Sequence, residues 1–186
     1  MQSLCVFCGS RAGAGSAFEQ SARELGKELA AKQITLVYGG GNAGLMGAVA
    51  DAVLDHGGHV IGVLPKILAD REGAHQRVTE MHYVETMHER KAMMYGLADG
   101  FVALPGGIGT LEELCEVITW IGIGQHRKPC GILNVNQYYD PFLSLLEHMV
   151  DKGFLRRELL DSLIVRDNPR QLIDAVQAMA ENLNAS

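Results

Sequence analysis

Residues 104–113 read LPGGIGTLEE. Three glycines within four positions, Gly106, Gly107 and Gly109, follow an apolar run and precede Thr110, Glu112 and Glu113. Glycine lets backbone N–H groups come close to an oxyanion, and a helix starting here would add its positive end. Two carboxylates beside such a cradle are awkward, because like unit charges about 4 Å apart cost about 4 kcal/mol at an effective dielectric of 20. The arrangement makes sense if positive charge develops between the anion and the acid. A ribose 5-phosphate losing its base does this. Its phosphate sits on the glycines, and its C1′ becomes oxocarbenium-like within reach of a carboxylate that stabilises it or activates water. The plainer reading is a capping box, T-x-x-E from Thr110 to Glu113, at a helix that starts near Leu111.

A second group of reactive residues lies in ETMHERKAMM, residues 85–94. Thr86 with Glu89 again reads as a helix start. Arg90 and Lys91 then fall in the first turns, where the helix dipole does not favour cations, so their placement is informative. Arginine offers a planar fork for a phosphate or carboxylate, and lysine a point charge. A solvated basic patch is the alternative. A second glycine loop, YGGGNAGLMG at residues 38–47, has Gly39, Gly41 and Gly44 in G-x-G-x-x-G spacing. The acid that a dinucleotide site needs about 20 residues later is missing from the end of the following strand, HVIGVLP, which disfavours NAD or FAD. The bland alternative for this loop is a tight strand-to-helix turn. Neither loop ends in G-K-[ST], which rules out a Walker A ATPase.

These loops need a scaffold that brings them together. The spacing predicts strands over 4–8, 34–38, 59–64, 82–84, 100–104, 131–134 and 162–165. It predicts helices over 16–32, 43–56, 87–98, 111–122, 139–152 and 169–182. Several strands are apolar throughout, as when both faces of a sheet are covered. The alternation implies right-handed βαβ units, hence an α/β fold with an open parallel sheet of about seven strands between helical layers. Residues 66–81, KILADREGAHQRVTEM, are polar and weakly patterned, and read equally as a connection or a lid. They leave from a strand's carboxyl end, the edge where such sheets bind ligands.

At 186 residues the chain fits one domain, taken as 1–186. A net charge of −6 with no basic run argues against a nucleic acid partner. No apolar stretch approaches the ~18 residues of a membrane span, and MQSLCVFCGS carries no signal pattern, so the expectation is a cytoplasmic protein. Cys5 and Cys8 form C-x-x-C, but on a strand they point to opposite faces, and no second pair completes a zinc set. Cys5, Cys8, Cys115 and Cys130 are read as reduced, mostly buried thiols, with no metal.

PGGIGTLEE fits a P-G-G-x-G-T-x-x-E signature. With MHERK upstream, YGGGNAGLMG, and CGS near the start, the chain resembles the LOG (Lonely Guy) cytokinin riboside 5′-monophosphate phosphoribohydrolases, long described as possible lysine decarboxylases. The resemblance runs from Cys5 to about Leu172. It implies a Rossmann-like fold, a homodimer at minimum, no cofactor, and hydrolysis of the N-glycosidic bond of AMP and N6-modified AMP. It places Arg90 and Glu113 as catalytic and Gly107, Gly109 and Thr110 on the phosphate. The loop glycines Gly41 and Gly106 join that binding set. Lys91 and Thr119 fall at substrate-contacting positions, and Glu112 is the fallback acid if the helix phase is off by one. Many relatives read T-W-x-Q-L-G-x-H after the signature helix, whereas this chain has TWIGIGQH with Gly122 in place of Gln, which bears on base contacts and on packing near Trp120. Two rivals differ in class. A nucleotide carrier or sensor would need the phosphate loops but not Arg90 with Glu113. A lysine decarboxylase would need a Schiff-base lysine for pyridoxal phosphate, and no lysine has that context.

Overall fold

The structure is a computed structural model; it describes residues 1–184, apart from the side chains of residues 70–72 and 184. Strands β1 (Ser3–Phe7), β2 (Thr35–Tyr38), β3 (Val60–Pro65), β4 (Glu80–Val84), β5 (Phe101–Ala103), β6 (Cys130–Leu133) and β7 (Leu163–Arg166) form one sheet. All pairs are parallel, in the order β4-β3-β2-β1-β5-β6-β7. The helices are α1 (Ala17–Ala31), α2 (Gly44–Asp55), α3 (Lys66–Glu72), α4 (Met87–Leu97), α5 (Ile108–Gly122), α6 (Asp140–Asp151), α7 (Arg157–Asp161) and α8 (Pro169–Asn184), with a 3-10 turn at Val135–Gln137. The expected Rossmann-like α/β/α layering is present.

Strand alternation sorts the core. Leu4, Val6 and Cys8 join Leu25, Leu29, Val49 and Val176 under α1, α2 and α8. Cys5 and Phe7 join Met94, Tyr95, Leu114 and Val117 under α4 and α5. Cys5 and Cys8 therefore lie in different cores. All four cysteines are free thiols; Cys5, Cys8 and Cys130 are buried, and Cys115 is exposed.

The order reverses at β1, which pairs with β2 on one side and β5 on the other. Ligands of open α/β sheets bind at such a switch point, beyond the carboxyl ends of the strands. The loops after β1, β2 and β5 meet there. Gly9 N–H donates to Pro105 O at 3.1 Å, and Leu45 N–H donates to Gly9 O at 3.0 Å, which ties the three together.

Two expectations are corrected. Residues 66–72 form α3, which starts directly from β3 with Pro65 in the N-cap position and no side-chain cap. Helix α5 starts at Ile108, one turn before Leu111, capped by Gly107 in extended backbone. Thr110 is thus the third residue of the helix and caps nothing, so TLEE is not a capping box. Thr86 does cap α4, accepting from Glu89 N–H at 3.1 Å, while Glu89 Oε2 accepts from Glu85 N–H at 2.9 Å.

Candidate active site

The first intrahelical bond of α5 runs from Leu111 N–H to Gly107 O. The amides of residues 108–110 have no intrahelical acceptor, and they project from the positive end of a 15-residue helix. A Cβ at Gly107 or Gly109 would meet nothing within 4 Å, so packing does not demand glycine there. Bare backbone at these positions keeps room for a ligand. Gly106 differs: a Cβ there would overlap the Thr110 hydroxyl and come within 2.8 Å of Gly9 N. Its bareness lets the loop after β5 fold onto Thr110, which is 4% exposed. From the far side Tyr138 donates its hydroxyl to Gly106 O at 2.5 Å, and Tyr139 donates to Leu104 O at 2.6 Å.

Arg90 leaves the first turn of α4 and runs over the ends of β2 and β3. Its Nε donates to Val63 O and one terminal nitrogen to Gly39 O, each at 3.1 Å, and the residue is 9% exposed. A Cβ at Gly39 would overlap the guanidinium, so the first glycine of the second loop serves the arginine. The other terminal nitrogen stands 4.0 Å from Glu113 Oε1. Glu113 lies one helical turn beyond Thr110, and its side chain is 12% exposed. Burial pushes its carboxyl up to about 7 from 4.5, against the pull of Arg90; Glu112 and Glu116 add to the rise and Lys91 opposes it. Desolvation wins over the nearby cation, which leaves a carboxyl poised near neutrality.

These groups share one cavity of about 540 Å³. Gly41, Arg90, Gly106, Gly107, Gly109, Thr110 and Glu113 all line it, so the structure gathers seven of the ten expected site residues. Lys91, Glu112 and Thr119 do not line it. The Lys91 ammonium reaches away, to Glu112 Oε1 at 2.5 Å and Glu116 Oε1 at 3.2 Å, and Thr119 donates its hydroxyl to Cys115 O at 2.7 Å. The helix phase explains this: Glu112 and Thr119 lie on the exposed side of α5, whereas Glu113 turns inward. Of the two acids, Glu113 lines the cavity and Glu112 does not.

Sequence reasoning missed the loop after β1. Ser10, Arg11 and Gly13 line the cavity, with Phe18 and Tyr138 packed edge to face at 5.8 Å. CGS enters the family resemblance, but no residue of CGSRAG has a spacing that marks it as part of a site. Arg11, an exposed residue, forms part of the wall. Gly122 lies elsewhere: a Cβ there would come within 2.8 Å of Leu159 in α7, and its carbonyl accepts from Arg156. The departure from the pattern bears on how α5 packs against α7 and not on the cavity wall. Among the described residues no group of three or more His, Cys, Asp or Glu is placed to hold a metal, and no helix is long and apolar enough to cross a membrane.

Residues 46–176 match the model of a family described as "Possible lysine decarboxylase". The chain is 52% identical over 170 residues to a protein of Oryza sativa subsp. japonica named cytokinin riboside 5′-monophosphate phosphoribohydrolase LOG, covering 91% of this chain and 70% of the rice protein. It is 46% identical over 178 residues to the protein of that activity name from Rhodococcoides fascians, covering 95% and 90%. Among solved structures, a molybdenum cofactor binding protein from Rippkaea orientalis superposes with a TM-score of 0.72 at 18% identity, over 96% of this chain and 98% of that one. At that identity the likeness concerns the fold alone. The family match over residues 46–176 and relatives 46–52% identical over most of the chain agree, and the chain belongs to the LOG family, whose model carries the lysine decarboxylase description.

Proposed function

We propose that the protein hydrolyses the N-glycosidic bond of nucleoside 5′-monophosphates, AMP and N6-modified AMP, to free base and ribose 5-phosphate. The observation that carries this is the spacing of unlike devices along one helix: open amides at the start of α5, and a buried acid tuned to about 7 one turn further in. The phosphate takes the amides of the 107–110 turn and the Thr110 hydroxyl, with Gly106 and Gly41 keeping the wall bare. Arg11 adds positive charge. C1′ then faces Glu113. As the bond to the base nitrogen breaks, the ionised carboxylate stabilises the oxocarbenium-like carbon. It also takes a proton from the attacking water, whose hydroxyl bonds to C1′, and that proton returns through solvent to the nitrogen of the leaving base. Arg90, held by two carbonyls, keeps Glu113 ionised often enough to act.

Lysine decarboxylation has no support in this cavity. Among the described residues no lysine lines it, and buried Lys91 is occupied by two carboxylates outside it. The names of the rice and Rhodococcoides relatives support the hydrolase reading. A homodimer is part of the proposal: Met87, Met93 and Leu97 on α4, with Ile108 and Ile123 at the ends of α5, are exposed apolar residues that a second copy would cover. Light scattering at working concentration tests this, with a monomer as the contrary result.

The test of function is chromatography after incubation with AMP, N6-isopentenyl AMP and the two parent nucleosides. Base is expected from the monophosphates only. Tight AMP binding with the nucleotide intact would favour a carrier or sensor.

A further inference from the structure

Residues 73–79 follow α3 and cross the second glycine loop. Gly41 and Ala74 form an isolated antiparallel bridge, and His75 N–H donates to Gly40 O at 3.1 Å. Gly73, at the end of α3, has φ +78° and lines the cavity with Leu68. His75 is 3% exposed, unusual for a histidine in a polar connection. Its Nδ1 accepts from Arg77 N–H at 3.3 Å, which puts the proton of the neutral ring on Nε2. Nε2 is buried without an aligned hydrogen-bond partner, yet it stands 3.3 Å from Asp51 Oδ1 on α2. The same carboxylate takes Arg77 Nη1 at 2.9 Å, and Asp55 takes Nη2 at 2.5 Å. One imidazole thus links residues 73–79 to the helix that follows the glycine loop, while its own backbone holds the loop. The loop in turn supplies the Gly39 carbonyl that fixes Arg90.

We infer that His75 is a positioning residue that pins residues 73–79 as a strap over the 39–41 loop, and through Gly39 sets the guanidinium of Arg90 in the active site. It touches neither the reacting atoms nor Arg90. Its effect passes by way of Gly40 and Gly39.

Only the kinetic part of the inference rests on the hydrolase reading, so two kinds of measurement are paired on His75→Ala and His75→Gln. The first is hydrogen exchange without ligand. Amides of residues 39–41 and 73–79 are expected to exchange about tenfold faster in the alanine variant, the change set by losing one buried hydrogen-bonding group. His75→Gln, which keeps a donor within reach of Asp51, is expected to stay within about threefold of the parent. The second is steady-state hydrolysis of AMP. The alanine variant is expected to lower kcat/KM about tenfold and to move its acid limb to higher pH, because a displaced Arg90 opposes the burial of Glu113 less. Unchanged exchange at 39–41 in the alanine variant would overturn the strap. Faster exchange with an unchanged pH profile and kcat/KM would confine His75 to stability and overturn its positioning role. If the parent protein releases no base, the hydrolase reading fails, and the exchange data with AMP-induced shifts in melting temperature still decide the strap.

Discussion

Replacing Glu113 with Gln is expected to make the protein more stable while nearly abolishing its activity. The glutamine has almost the same volume and stays neutral, so the comparison isolates the cost of ionising this buried site. The folded-state pKa is raised, from 4.5 to about 7, with burial as the main cause. The neutral carboxyl is therefore the form the fold prefers. Its contribution is fully present below about 4.5, declines as pH rises toward 7, and is lost above that. The displacement corresponds to about 3 kcal/mol, at 1.36 kcal/mol per pH unit. At pH 8 Glu113→Gln should thus gain about 2–3 kcal/mol over the parent, and at pH 5 about 1 kcal/mol or less. For a chain of this size the pH 8 gain raises Tm by roughly 5–10 °C. Urea unfolding at both pH values, at one protein concentration, reads the difference directly. A stability difference that is the same at pH 5 and pH 8, or a glutamine variant less stable at pH 8, would refute the claim that Glu113 carries a burial cost used in catalysis.

Three other outcomes follow from the same geometry. In the proposed mechanism the ionised form of Glu113 acts, so kcat/KM should fall tenfold per pH unit below about 7 and level off above it, as measured by initial rates from pH 5 to 9. Arg90→Lys keeps the charge but cannot reach both Val63 O and Gly39 O, and should cost at least about tenfold in kcat with a further upward shift of the acid limb. Gly106→Ala forces Thr110 off the loop and should raise KM for AMP at least about tenfold, with melting temperature and residual nucleoside binding as controls.

Much of this site was legible before the fold was known, for reasons that can be named. Several strands are apolar on both faces, and glycines follow the ends of β1, β2 and β5, so the alternation and the loops after β2 and β5 stand out. Arg90 is visible because a cation at the start of α4 runs against the helix dipole. Other features leave weaker marks. The cap of α5 is bare backbone at Gly107, which has no side-chain signature, and Thr110 with Glu113 mimics a capping box one turn too late. Helix α3 lacks a polar cap and an apolar stripe. The direction of Lys91 depends on the phase of α5 relative to α4, which no local pattern encodes. The carbonyls that hold Arg90 come from residues 27 and 51 positions away, so only the sheet order brings them together. The same holds for His75, whose partner Asp51 lies across the glycine loop on α2.

The central claim is that one buried acid, set one turn beyond an open helix start, breaks the bond between ribose and base. The most direct test is release of free base from N6-isopentenyl AMP by the parent protein and by Glu113→Gln, with AMP binding followed in parallel. Base and ribose 5-phosphate are expected in equal amounts from the parent. The variant is expected to lose at least about two decades in rate, with binding retained. Turnover of the variant within about threefold of the parent would contradict a catalytic role for Glu113, because removing a general base costs far more.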